Sequence, residues 1–266
     1  MKQLPNLFTL LNLVFGCLAI AAILQPGLVP VYTESNNQWL PAINTETGIQ
    51  YISIPEQIYL GSVFIGCAAI IDFLDGFVAR LVKASSKIGK QLDSLADVVS
   101  FGVAPGFIVF EFLRLSYAQQ ENGLDISMWW LLPAFVIPCA GVYRLARFNI
   151  DTSVSYGFKG VPIPAAGLLI ASFPLIYWYS SSSWSLQLLL NKWFWYALIF
   201  IVSWLMVSTL PMMALKFKEL NVKKLLPFII IAFVAVVSAF VVRWIAVPIT
   251  FITYVILSLF YKQQTT

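Results

Sequence analysis

Charged residues are scarce in this sequence, and histidine is absent from it. Only 11% of the 266 residues are Asp, Glu, Lys or Arg, whereas a soluble domain carries about 25%. The lack of histidine excludes histidine acid–base catalysis and histidine metal ligation. Cysteine occurs three times, at Cys17, Cys67 and Cys139, without a metal-binding spacing. We expect these cysteines to be small packing residues inside apolar segments.

The sequence is rich in long apolar runs. Hydrophobic residues make up 60% of the chain, and a membrane-spanning helix needs about 18 or more of them in succession. About eight such runs are present, at 7–25, 57–79, 94–113, 128–148, 163–181, 193–214, 225–242 and 244–261. The sequence therefore predicts an all-α integral membrane protein with about eight transmembrane helices.

The 16 cations are distributed unevenly over the predicted loops. If the N-terminus is cytosolic, three of them (Arg114, Lys192 and Arg243) fall on the far side and all the others on the cytosolic side. Cations are concentrated on the cytosolic side of membrane proteins. We therefore expect an integral protein of the cell (inner) membrane with both termini on the cytosolic side. The segment 26–56, which has no Lys or Arg, is predicted to be the longest outside loop.

Four aspartates interrupt the apolar sequence between residues 72 and 97. Asp72 and Asp75 are three residues apart, and Asp93 and Asp97 are four apart, so each pair shares one helix face. The link between the pairs is short, which predicts antiparallel neighbouring helices whose carboxylates converge at the cytosolic end. Because acids are costly near a bilayer, we expect a divalent metal there. Oxygen ligands suit Mg²⁺ or Mn²⁺, and two such ions suit phosphoryl transfer.

Small and basic residues accompany the acids. Gly76, Ala79 and Gly89 would let a ligand or a helix approach the backbone, and Arg80 can reach a phosphate. Two other interpretations stay open, a solvated charged hairpin and the ion path of a transporter. The apolar residues beside the acids argue against the hairpin. The position of all four acids near one membrane face argues against the ion path.

The complete spacing is D-x2-D-G-x2-A-R-x8-G-x3-D-x3-D, from residue 72 to residue 97. It resembles the signature of the CDP-alcohol phosphatidyltransferases, and the resemblance covers about residues 5–180. In that family an alcohol hydroxyl attacks the phosphate that carries the lipid in a CDP-linked lipid, and CMP leaves. The resemblance implies a single membrane domain over 1–266, a six-helix catalytic core within 1–181, additional spans in 182–266, and a homodimer.

The resemblance also implies roles for the motif residues. Asp72, Asp75 and Asp93 would hold the divalent metals, which the resemblance implies are two ions of Mg²⁺ or Mn²⁺. Asp97 would share a metal and act as general base on the attacking hydroxyl, which needs an acceptor for its proton. The CDP moiety would be contacted by residues around these acids, namely Asp75, Gly76, Ala79, Arg80, Ser86 and Gly89.

Three further stretches, 5–16, 94–106 and 144–167, resemble the phosphatidylserine synthase branch of the family. The substrates would then be CDP-diacylglycerol and L-serine, and the products phosphatidylserine and CMP. Glycerol 3-phosphate or inositol as the acceptor is the alternative, since glycerol 3-phosphate also carries negative charge.

A serine acceptor needs a cation for its carboxylate. Arg144 and Arg147 are three residues apart at the cytosolic end of the fourth predicted span, and a guanidinium can bind a carboxylate through two hydrogen bonds. Asn149 and Lys159 are candidates for contacts to the amine or the phosphate. The other interpretation is that these cations only mark the cytosolic side.

The first span carries polar residues, Asn6, Thr9 and Asn12. Such residues usually form hydrogen bonds between helices, and we expect that role here in preference to substrate contact. Tryptophans near the span ends are predicted to be interfacial anchors; they include Trp129, Trp130, Trp193 and Trp195.

Overall fold

The computed structural model describes residues 4–25, 27–31, 43–44, 50–54, 57–81, 87–119, 126–150, 158–180, 182–213 and 222–260. The α-helices are α1 Leu4–Leu24, α2 Ile58–Leu81, α3 Lys87–Asp97, α4 Ala104–Ala118, α5 Val136–Ile150, α6 Ile163–Tyr179, α7 Ser183–Leu189, α8 Lys192–Val207, α9 Val222–Val242 and α10 Ala246–Phe260. A π-helix, Val98–Val103, joins α3 to α4, and short 3₁₀ segments lie at Met128–Trp130, Leu132–Phe135 and Arg243–Ile245.

The described residues contain five helical stretches that are long and apolar enough to cross a membrane. The bent pair formed by α7 and α8, with an angle of 70° between them, makes a sixth if it counts as one span. Each of the eight predicted spans includes a helix, although the run 193–214 continues past α8 into a short strand at Pro211–Met212. The all-α membrane architecture is confirmed, and the count of eight spans stays a prediction. One long stretch, 225–260, includes both α9 and α10, which pack against each other across the 3₁₀ segment.

The core is built around the π-helix between α3 and α4. Its residues Phe101 and Gly102 are buried, and α1, α5 and α6 all pack against this segment. Close packing depends on Gly167 of α6, because a Cβ there would lie 2.9 Å from the Phe101 backbone. α1 also packs along α2 and α3. The two helices that carry the aspartates are therefore held against the first helix of the chain.

Short strands occur outside the helical bundle. β1 (Gly27–Val31), β2 (Ile43–Asn44) and β3 (Gln50–Ile54) form an antiparallel sheet in the order β1-β3-β2. This segment was predicted to be a loop, and its strands were not predicted.

A second pair of strands joins two distant parts of the chain. β4 (Phe158–Lys159) pairs with β5 (Pro211–Met212). Gly160, which follows β4, has a φ of +76°, a conformation that glycine adopts without steric cost. Its amide donates to the Leu210 carbonyl at 2.9 Å. The segment before α6 is therefore fixed to the segment after α8.

Two expectations about side-chain burial were wrong. Cys17 and Cys139 are exposed, so they lie on the outer surface of the bundle and are not core packing residues. Trp195 is 0% exposed, and its indole nitrogen donates to the Leu189 carbonyl at 2.7 Å. It is a core residue, because the bend between α7 and α8 turns its ring inward against Phe112. The other three predicted anchors are exposed, as expected.

Candidate active site

The four aspartates lie at facing positions on α2 and α3. Asp72 and Asp75 are in the C-terminal half of α2, and Asp93 and Asp97 are in the C-terminal half of α3. Asp75 and Asp97 are only 7% and 8% exposed, although carboxylates are rarely buried without a partner. The spacing of three and four residues places each pair on one helix face, as the sequence predicted.

Three of these carboxylates converge on one point. Ligand oxygens of Asp72, Asp75 and Asp93 all lie within 4.8 Å of one another. One oxygen of Asp93, Oδ1, is buried and accepts no hydrogen bond from any residue in the described part of the chain. Like charges this close repel each other. A divalent cation would relieve the repulsion and supply the missing partner, so the donor set fits a hard metal ion.

Asp97 lies beside this group of three without belonging to it. It is within electrostatic range of the other three carboxylates, and its Oδ1 accepts a hydrogen bond of 3.3 Å from Asn12 Nδ2. The residue is thus close to the converging acids while its own oxygens are oriented by α1. This position suits a group that acts next to a metal-bound phosphate.

α1 supplies the polar partners of two aspartates. Thr9 Oγ1 donates to Asp75 Oδ2 at 2.8 Å, and Asn12 donates to Asp97. Ser100 Oγ donates to the Asn12 carbonyl at 3.0 Å. Thr9 and Asn12 are buried. The expectation that they form hydrogen bonds between helices is confirmed, and their partners are two of the candidate site residues.

The residues predicted to contact CDP are described in part. Gly76 is exposed, and a Cβ added to it would meet no atom within 4 Å among the described residues. The backbone beside Asp75 is therefore open to a ligand. Gly89 is partly buried on α3. Ala79 and Arg80 belong to α2, but their side chains lie outside the described part, and so does Ser86.

Arg144 is a predicted serine-binding residue that interacts electrostatically with one of the four aspartates. It is buried, with 6% exposure, and is within electrostatic range of Asp97. Its guanidinium lies 5.6 Å from the centre of the Phe148 ring. A buried cation near Asp97 is well placed for an anionic group on the same substrate that brings a hydroxyl to Asp97.

Arg147 is placed differently. Its guanidinium donates to the Val207 and Ser208 carbonyls, both at 2.8 Å, and to the Lys159 carbonyl at 3.3 Å. These bonds join the end of α5 to the end of α8 and to β4. The Lys159 side chain itself is exposed.

Asn149 contacts α3 through a side-chain hydrogen bond. Its Nδ2 donates to Ser94 Oγ at 2.9 Å, next to Asp93. Sequence reasoning missed Ser94, and it also missed Tyr254 of α10, which lies within electrostatic range of Arg144. The Tyr254 hydroxyl donates to the Met213 carbonyl at 3.3 Å. Neither residue belongs to a recognisable spacing, because each meets the site only through the packing of distant helices.

A sequence model of the CDP-alcohol phosphatidyltransferase family matches residues 2–193 of this chain. The match includes α1 through α7 and all four aspartates. This chain therefore belongs to the CDP-alcohol phosphatidyltransferase family, as the motif predicted.

Several curated relatives are similar to this chain over part of its length. A CDP-diacylglycerol–serine O-phosphatidyltransferase of Helicobacter pylori is 43% identical over 116 residues, which are 43% of this chain and 45% of that protein. The enzyme of the same name from Mycobacterium leprae is 31% identical over 202 residues, 73% of this chain and 61% of the relative. An archaetidylserine synthase of Methanothermobacter thermautotrophicus is 35% identical over 148 residues, 54% of this chain and 59% of the relative. The chain thus spans between 45% and 61% of the length of these relatives.

Proposed function

We propose that this protein is a phosphatidylserine synthase, which transfers the phosphatidyl group of CDP-diacylglycerol to the hydroxyl of L-serine and releases CMP. The observation that carries the proposal is the convergence of Asp72, Asp75 and Asp93 within 4.8 Å, with Asp97 beside them, in a chain of this family. The choice of serine is supported by the names of the relatives and by a buried arginine near Asp97.

The three converging carboxylates are the proposed metal ligands. They would hold Mg²⁺ or Mn²⁺, with two ions expected and Asp97 sharing one of them, and the bound metal would neutralise charge on the diphosphate. The chain's own residues then define the rest of the site. The open backbone at Gly76 admits the CDP moiety, and Ala79, Arg80, Ser86 and Gly89 are its further proposed contacts.

Asp97 is the proposed general base. It accepts the proton of the serine hydroxyl, and the hydroxyl oxygen attacks the phosphorus that carries diacylglycerol. The bond from that phosphorus to the CMP oxygen breaks, and CMP leaves with the electron pair. Asn12 holds Asp97 through a hydrogen bond, which keeps one carboxylate oxygen oriented while the other receives the proton.

Arg144 is the better of the two proposed carboxylate clamps. Its guanidinium is buried near Asp97, and a serine carboxylate is only a few bonds away from the hydroxyl that Asp97 would deprotonate. Arg147 already donates to three backbone carbonyls, so we assign it a structural role in holding the end of α5 against the end of α8 and β4. Asn149 and Lys159 remain proposed contacts at the rim of the same region.

The proposed setting is the cell (inner) membrane, with both termini and the active site on the cytosolic side and a homodimer as the assembled form. Thirteen of the 16 cations lie on that side in the predicted topology. Serine is a cytosolic solute and CDP-diacylglycerol stays in the bilayer, so a site at this membrane face can receive both.

An acceptor panel tests the function. Purified protein is given Mn²⁺ or Mg²⁺ and CDP-diacylglycerol, and CMP release is measured with serine, glycerol 3-phosphate or inositol. We expect release with serine alone, and phosphatidylserine as the lipid product. Release that depends on one of the other acceptors would keep the family reaction and replace the substrate. Ion flux into vesicles without any lipid product would favour a transporter.

A further inference from the structure

A cavity of about 520 Å³ lies at the opposite end of the molecule from the aspartates. It forms where the end of α6 meets the turn between α9 and α10. Tyr179, which lines it, packs its ring against Tyr59 at the start of α2. Tyr59 precedes Asp75 by sixteen residues on that helix, which corresponds to about 24 Å at 1.5 Å per residue. The cavity is therefore separate from the candidate active site.

Arg243 is the cation among the described residues that line this cavity. Its backbone has a φ of +50°, and no other non-glycine residue in the described ranges has a positive φ. This left-handed conformation is uncommon for residues other than Gly, Asn and Asp, and such positions cluster at binding and functional sites. The turn between α9 and α10 thus presents a guanidinium to the cavity at a conformational cost.

The other two cations predicted on this side of the membrane have partners within the bundle. Arg114 forms an ion pair of 2.7 Å with Glu111. The Lys192 ammonium lies 4.7 Å from the centre of the Tyr117 ring. Cations are few on this side, and Arg243 lines a cavity large enough for a ligand.

The cavity wall combines three kinds of chemistry. The Ser182 hydroxyl can donate a hydrogen bond beside the guanidinium, whereas the Ser180 hydroxyl is bonded to Ser185 Oγ at 3.0 Å. Trp184 and Trp244 are about half exposed, as are aromatic residues at the level of lipid head groups. The rest of the wall is aliphatic, from Ile176, Val241, Val242 and Ile245. A guanidinium binds phosphate through two hydrogen bonds, but an inorganic anion has no use for the aliphatic wall, whereas a phospholipid has both a phosphate and acyl chains.

We propose that this cavity binds an anionic phospholipid in the leaflet opposite to the aspartates. The phosphate lies on Arg243, the Ser182 hydroxyl contacts the head group, and the acyl chains follow the aliphatic residues of α6 and α9. The volume is within the range of about 300–1,000 Å³ of small-molecule sites. The bound lipid joins α6 of the family core to the last two helices, which the acidic motif does not use.

The test uses the full chain in nanodiscs that contain a photoactivatable phosphatidylglycerol. After illumination, lipid adducts are mapped by mass spectrometry to the peptides that carry residues 176–184 and 241–245. We expect labelling of both peptides, and at least about tenfold less labelling in Arg243→Asn, because a charge-assisted hydrogen bond is lost. Asparagine tolerates a positive φ, so this variant removes the charge and keeps the turn.

Two variants, a second lipid probe and one competitor make the result specific. Lys192→Gln, which removes a cation from the same end, should label like the wild type, and Arg243→Lys should retain part of the labelling. A photoactivatable phosphatidylcholine should label these peptides weakly, and inorganic phosphate should not compete. Equal labelling by both lipids, or unchanged labelling of Arg243→Asn, would overturn the proposal. Competition by inorganic phosphate would replace the lipid with a soluble anion.

Discussion

At the scale of single residues, a substitution of Asp97 can test its role in catalysis separately from its role in substrate binding. It lies beside the three converging carboxylates, and its oxygen is oriented by Asn12 at 3.3 Å. Asp97→Asn keeps the size of the side chain but cannot accept the proton. We expect turnover to fall by about 10²–10⁴-fold while binding of CDP-diacylglycerol changes little. Steady-state rates and a lipid-binding titration measure the two effects, and a parallel loss of binding would make Asp97 chiefly a metal ligand.

We expect substitutions of the two arginines of α5 to have different effects. Arg144→Gln should raise the serine KM more than the KM for CDP-diacylglycerol, because a buried guanidinium near Asp97 is removed. Arg147→Gln should chiefly lower the midpoint of thermal unfolding, because three backbone carbonyls lose their donor. Kinetics and thermal unfolding of both variants give the comparison. A rise in serine KM without loss of stability in Arg147→Gln would return Arg147 to the acceptor site.

At the scale of helices, α1 acts as a positioning element for the aspartates of α2 and α3. The key contact is the 2.8 Å hydrogen bond from Thr9 Oγ1 to Asp75. Thr9→Val keeps the shape and removes the donor, so one proposed metal ligand is released from its orientation. Because outer partners of metal ligands usually contribute 10–100-fold, we expect the Mn²⁺ concentration for half-maximal activity to rise about tenfold.

Two variants control for the shape of the threonine side chain. Thr9→Ser restores the hydroxyl and should restore the Mn²⁺ dependence. Thr250→Val on α10 removes a hydroxyl that donates within its own helix, at 2.7 Å to the Ala246 carbonyl, and should leave that dependence unchanged. An unaltered Mn²⁺ dependence in Thr9→Val would show that α1 does not position Asp75.

The approach of the aspartates of α2 to those of α3 should itself depend on metal. Oxygens of Asp72, Asp75 and Asp93 lie within 4.8 Å of one another, so their mutual repulsion opposes this arrangement. A ligand at 100 times its Kd stabilises the state that binds it by about 2.7 kcal/mol. We therefore expect Mn²⁺ to raise the midpoint of thermal unfolding of the chelator-treated protein, and Asp93→Asn to lose most of this shift.

Glu111→Gln is the matched control for that measurement. Glu111 is a buried acid on α4 that pairs with Arg114, away from the cluster. Its variant should be less stable in itself and should still respond to Mn²⁺. A shift of equal size in Asp93→Asn would mean that the metal binds elsewhere.

The elements that the sequence predicted are those with a strong local signal. The apolar runs gave the helices, and the spacing of three and four residues placed the aspartates on facing surfaces. The π-helix at Val98–Val103 carries no such signal, because its geometry depends on the helices packed around it. The role of Asn149 as a partner of Ser94 depends on contact between α3 and α5, which spacing along either helix cannot reveal.

At the scale of the whole molecule, the open question in the topology is how the stretch 225–260 meets the membrane. As one straight helix its 36 residues would be about 54 Å long, while the hydrocarbon core is about 30 Å thick. Arg243 interrupts the stretch with a φ of +50°, and α9 and α10 pack against each other. These observations favour a hairpin that crosses the membrane twice.

If the stretch 225–260 forms a hairpin, its two ends lie on the same side of the membrane and its turn lies on the other side. Truncated fusions that end at residues 220, 242 and 266 can carry either a fluorescent protein, which folds in the cytosol, or alkaline phosphatase, which is active outside it. We expect fluorescence for the fusions at 220 and 266 and phosphatase activity for the fusion at 242. This pattern places Arg243 on the side opposite to the aspartates, where the cations are few and the proposed lipid cavity opens. If the stretch crossed only once, the fusion at 266 would instead be active as a phosphatase, and the cytosolic C-terminus predicted from the cation distribution would be wrong.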